Sequence, residues 1–180
     1  MKTRNIMTLL IFLLAFSFQT WTEDFSLENA RWSLGGDASF IFRTNFDAIA
    51  NLELSLKPAF STIFHNKWEL GIRPLINWTI LKNIPVANRV EWGLHTYIRR
   101  YFLIHNNIYY YIGGNLGARI FDQDEQTFKI SFGLENGILI GLAKSIALDV
   151  GIPINALFNN AYGFSYLEMP MGYLGIKAFF

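Results

Sequence analysis

Cysteine is absent from the 180 residues, which removes disulfides, thiolate ligands and a lipid-modified cysteine from any account of this fold. Charge is scarce as well: Asp, Glu, Lys and Arg make up 16% of the chain, against roughly 25% in a typical soluble domain. The net charge is +1 and no dense Lys/Arg run is present, so nucleic acid is excluded as a partner class. Three scattered histidines lack paired ligand spacing, and neither a transition-metal site nor any cofactor is expected. No later run reaches the roughly 20 uncharged apolar residues that a membrane-spanning helix needs. What is abundant is apolar surface, with 52% hydrophobic and 17% aromatic residues. The length suits a single domain.

The chain opens Met1-Lys2-Thr3-Arg4-Asn5, continues with an apolar run from Ile6 to Phe18, and exits through Thr20, Thr22, Glu23 and Asp24. That order of charged, apolar and polar regions reads as a secretory signal peptide. Ala15-Phe16-Ser17 and Thr20-Trp21-Thr22 both offer small residues where a signal peptidase cuts. A cut near Thr22 is preferred, giving a signal peptide over 1–22 and a domain over 23–180.

Beyond it the dominant period is two, as in β-strands. Trp32, Leu34, Ala38, Phe40 and Phe42 alternate with Ser33, Gly35, Asp37, Ser39 and Arg43. The pattern recurs through segments centred on Leu54, Ile72, Leu94, Ile112, Phe132, Val150 and Ile176, which makes eight strands. Pro58 and Pro74 each remove a ladder donor and predict local bulges, and the parity blurs near Asn136, where a further bulge would reset the register. Short connections are expected at Ser61 to Lys67, Leu103 to Asn107 and Ala143 to Ser145. The alternate set is Thr44 to Ala50, Leu81 to Arg89, Phe121 to Gln126 and roughly Phe158 to Tyr166. With an even strand count and a periplasmic start, the second set lies outside the cell.

Alternation alone does not say which face meets lipid. The polar face interleaves small residues with Asp37, Glu53, Glu69, Glu91, Glu135 and Asp149, nearly balanced by Arg43, Lys57, Arg73, Arg99, Arg119, Lys129 and Lys177. His95 sits among them. An Arg or Lys facing lipid near the midplane costs about 2–4 kcal/mol, so this face turns inward, and its charges form a structural lumenal network. Eight strands enclose a space that side chains just fill. On the apolar face Trp32, Trp68, Trp78, Trp92 and Phe102 are expected as interfacial anchors.

The last segment, Gly172-Tyr173-Leu174-Gly175-Ile176-Lys177-Ala178-Phe179-Phe180, resembles the C-terminal strand of bacterial outer-membrane barrels. From about Ala30 onward the chain resembles the small eight-stranded barrels of the OmpA, OmpX and OmpW-like type. The resemblance implies an up-and-down antiparallel transmembrane β-barrel in the outer membrane. It also implies outer-membrane lipid as surroundings, periplasmic chaperones during export, and a barrel-assembly machinery that reads Phe180. Lipid A-modifying enzymes share this strand count, but no histidine here stands in the His-x-Ser arrangement of the deacylases: His95 precedes Thr96 and Tyr97, and His65 and His105 fall in turns. The expected role is therefore structural, or an interaction through short external loops bearing Phe46, Phe121, Phe158 and Tyr162, with no catalytic residue. A lipid-modifying enzyme and a narrow solute channel are the alternatives.

Overall fold

Period-two segments joined by tight turns fold as an antiparallel meander, and here the meander closes on itself. In a computed structural model of the protein, residues 25–44, 50–65, 67–81, 89–121, 128–159, 163–168, 170 and 172–180 are described. The expected signal peptide over 1–22 lies outside them. The strands are β1 (Trp32–Thr44), β2 (Ala50–Phe64), β3 (Trp68–Leu81), β4 (Arg89–His105), β5 (Ile108–Phe121), β6 (Phe128–Ala143), β7 (Ile146–Asn159), β8 (Gly163–Glu168) and β9 (Tyr173–Phe179). Each pairs antiparallel with the next from β1 to β7. β7 then pairs with both β8 and β9, and β9 pairs back onto β1 through Ser33–Phe179 to Ala38–Leu174.

β8 and β9 thus share one position, and the barrel is eight-stranded. The eighth strand breaks at Pro170, which has no N–H to give a ladder, and Gly172, whose φ of 138° favours glycine. Gly151 pairs with Tyr173 and Asn155 with Glu168, so the break holds one extra residue. The strands β1 to β7 run from 13 residues in β1 to 17 in β4, more than the roughly 9–11 that cross a bilayer, while β8 and β9, with 6 and 7 residues, share the eighth position.

Pro58 and Pro74 do not make bulges. Pairing of β2 with β3 lapses between Leu56–Ile76 and Phe60–Ile72 and resumes in the same register. The two prolines face each other across that gap, so two missing donors cost one interruption. Near Asn136 no bulge resets the parity either, since β5 and β6 keep one register from Ile108–Ile140 to Ile120–Phe128. Leu139 simply turns inward and is buried, because that end of the lumen is apolar. The short turns are tighter than expected, with His65 and Lys67 in the first, Asn106–Asn107 in the second and Lys144–Ser145 in the third, and positive φ at His65 and Asn106. Phe158 belongs to β7 on the outer wall, its ring edge-on to Phe132 at 5.7 Å. Phe46 and Tyr162 fall outside the described residues, as does the side chain of Phe121.

Burial runs opposite to that of a water-soluble protein. Leu134 is 66% exposed and Ile176 60%, whereas Arg99 and Glu135 are each 1% exposed. Exposed apolar residues cover every strand wall that is described, far more than the few hundred Å² that a soluble monomer presents. Lipid is the solvent in which such a surface is stable.

Candidate functional site

The lumen gathers the polar face of every strand, and its inner half is built from long side chains set beside glycines. Gly137 and Gly151 stand opposite each other on β6 and β7. A Cβ at Gly151 would meet the hydroxyls of Tyr111 and Tyr173. Replacing Gly151 by valine is therefore expected to cost about 1–3 kcal/mol through overpacking, read as a lower urea midpoint for unfolding from detergent micelles.

Above the short turns the segment that precedes β1 enters the lumen. Phe25 and Leu27 are buried with Ile63, Tyr101, Tyr109, Leu139, Ala147 and Phe179. The Phe25 ring lies edge-on to Tyr109 at 5.9 Å and to Phe179 at 5.4 Å, and Leu27 N–H donates to the Tyr109 hydroxyl at 3.4 Å.

Over this segment lie two hubs. Glu69 accepts from Lys177 Nζ at 2.5 Å, Tyr101 at 2.5 Å, Ser61 at 2.6 Å, and Ser33 and Tyr97 at 3.0 Å. Arg99 donates through Nε to Glu135 at 3.0 Å, through Nη1 to Asp149 at 2.6 Å, and through Nη2 to Tyr173 at 2.5 Å. Its guanidinium lies 4.4 Å from the Tyr111 ring centroid. Tyr111 donates to Asp149 at 2.7 Å and shares a hydrogen bond with Tyr173. Arg73 grips Glu135 with both Nη atoms, at 2.7 and 2.9 Å, and lies 3.7 Å over the Tyr97 ring. Bidentate, buried pairs of this kind hold only when nearly every lone pair is used.

Farther out the network loosens. Arg119 reaches Glu168 at 3.0 Å and the His95 Nε2 acceptor at 3.3 Å, with Glu91 at 3.7 Å. Asn77 donates to Glu91 at 3.0 Å. Lys57 is buried near Asp37, Glu168, Arg119 and Arg73. Buried oxygens of Asp37, Ser39, Ser55, Asn77, Glu91, Asn115 and Ser131 have no hydrogen-bond partner in the protein.

No protein-family model matches the sequence, and no curated protein matches it. Among solved structures, the crystal structure of Neisserial surface protein A is similar at 13% identity with a TM-score of 0.61, covering 83% of this chain and 97% of that one. The outer membrane protein OprG from Pseudomonas aeruginosa is similar at 12% identity with a TM-score of 0.55, covering 85% of this chain and 97% of that one. The fold is that of the small outer-membrane β-barrels.

Within this barrel, Asp37, Lys57, Glu69, Arg73, Glu91, His95, Arg99, Arg119, Glu135, Asp149 and Lys177 are buried inside, and Lys129 is half-buried. The side chains of Arg43 and Glu53 lie outside the described residues. Trp32, Trp78, Trp92 and Phe102 are exposed on the outer wall and Trp68 is half-exposed. Phe180 is exposed, and its backbone is bonded to Arg31 and Trp32.

Sequence reasoning missed three groups. The alternation gives Glu168 no strand, because the break at Pro170 hides the outer part of strand eight. Phe25 and Leu27 carry no alternation and precede the first strand. Arg100 sits on the apolar parity of β4 beside Ile98 and Phe102, an exception visible in the alternation itself.

Proposed function

We propose that this protein is a bacterial outer-membrane barrel, exported by a cleaved signal peptide over 1–22, whose lumen is sealed and whose role is structural or an interaction at the cell surface. The observation that carries the reading is the stack of Phe25 and Leu27 beneath the Glu69 and Arg99 hubs. Apolar rings close one end, and above them buried charges bind one another rather than solvent. A conducting path needs charges free to exchange partners with a passing ion. Arg99, held by Glu135, Asp149 and Tyr173 at once, is committed elsewhere.

A non-enzymatic role is supported by the surroundings of the lumenal histidine. His95 Nε2 accepts from Arg119, a cation placed where a general base would need a substrate proton or a hydroxyl nucleophile. In this reading the charged lumen is a structural network, the tryptophans and Phe102 anchor the barrel at the interfaces, and Phe180 addresses it to the assembly machinery with chaperone help. Outer loops would meet any external ligand.

Planar bilayers containing the refolded full chain test the seal. The expected result is a conductance no higher than leak across a wide voltage range. Stable single-channel steps would replace this reading with the narrow-channel alternative.

A further inference from the structure

Arg100 is the anomaly of the outer wall. It lies on the lipid-facing parity of β4, paired in register with Trp68, and its side chain is exposed. An arginine on this face is costly at the midplane, though the cost falls to about 0–1 kcal/mol near the interfaces. Its position, close to the turns that hold His65 and Lys67 and Asn106–Asn107, is at such an interface. Among the described residues no carboxylate lies within ion-pair distance of it. Its guanidinium instead sits 5.4 Å from the Trp68 ring and 5.1 Å from the Phe102 ring. Two aromatic faces orient the cation without neutralising it.

Beside it opens a groove of about 490 Å³ lined by Lys67, His65, Arg100, Phe102, Leu103 and Glu28, among others. Lys67 is brought there by the backbone, since its carbonyl accepts from Tyr101 N–H at 2.8 Å. The groove therefore sets two permanent cations against one carboxylate, and exposed Leu103 and Phe102 line it. A ligand that fits has an anionic head for Arg100 and Lys67 and an apolar tail for the wall beyond.

We propose that Arg100 and Lys67, framed by Trp68 and Phe102, bind the phosphate headgroup of an anionic phospholipid at the short-turn rim of the barrel. The arginine fork matches two phosphate oxygens, Lys67 adds a second charge, and the acyl chains continue along the apolar wall. This site rests on the membrane-barrel reading above.

The test uses the refolded full chain in vesicles of phosphatidylcholine with a minor share of phosphatidylglycerol, followed by gentle extraction and native mass spectrometry. Wild type is expected to retain one phosphatidylglycerol in preference to phosphatidylcholine. Arg100→Gln should weaken that preference roughly fivefold to tenfold, Arg100→Lys and Lys67→Gln less, and Lys144→Gln, on another turn of the same rim, not at all. Equal retention of the two lipids, or an unchanged preference in Arg100→Gln, overturns the site while leaving the barrel intact. Displacement of the lipid by millimolar inorganic phosphate would make this a phosphate site and overturn the lipid assignment. If the wild type does not enter vesicles, the membrane reading fails and the proposal with it. Heat-modifiable gel migration of each variant confirms that a lost preference is not a lost fold.

Discussion

Replacing Glu135 with alanine is expected to destabilise the barrel by about 3–5 kcal/mol, the cost of leaving buried charge uncompensated. Glu135 receives both Nη atoms of Arg73, Nε of Arg99 and the amide of Asn115. After truncation Arg99 still holds Asp149 at 2.6 Å, but Arg73 is left with Asp37 at 4.0 Å. Most of the loss therefore falls on Arg73. The double variant R73M/E135M removes the stranded cation together with its partner and should recover part of the stability. Urea unfolding from detergent micelles, followed by tryptophan fluorescence, measures both. Because the pair is buried, added salt should change the penalty little. A loss below about 1 kcal/mol, the range of exposed pairs, would mean that water reaches Arg73 and that the lumen is not sealed at this level.

Leu134→Arg carries the second largest effect. Leu134 is 66% exposed in the middle of β6, so on a water-soluble protein an arginine there would change stability by no more than about 0.5 kcal/mol. In a bilayer the expected cost is about 2–4 kcal/mol, and the same change at Ile104, near the turn, should cost about 0–1 kcal/mol. Reversible unfolding from vesicles distinguishes the two solvents. Equal and negligible costs at both positions would overturn the assignment of the outer wall to lipid. The contrast also bears on Arg100, whose place near the turn is where an arginine on this wall is tolerated.

The eight-strand pattern and the inward face were legible because period-two alternation is a local property: adjacent side chains on a strand must point to opposite faces. Asp37, Glu69, Arg73, Arg99, Glu135, Asp149 and Lys177 could be assigned inward one residue at a time. Who binds whom could not be read that way. Arg73 and Glu135 are 62 residues apart and Lys177 and Glu69 are 108 apart, and such pairs depend on how far strands are staggered around the closed wall. The prolines and Asn136 show the converse error. Locally each looked like a bulge, but the register is shared with a neighbouring strand, and pairing on the opposite edges held it.

The sequence by itself determined that the chain is an all-β barrel with apolar residues out and charges in, because hydrophobic parity and the cost of charge in lipid are settled segment by segment. Only the tertiary structure decided how the barrel is stopped and where it is exceptional. Phe25 and Leu27 enter a lumen that does not exist until the strands close. Glu168 reaches Arg119 only across the break at Pro170. Arg100 becomes a paired-ring cation at a groove only when β3 brings Trp68 alongside it. Each of these depends on closure, a property that no single strand carries.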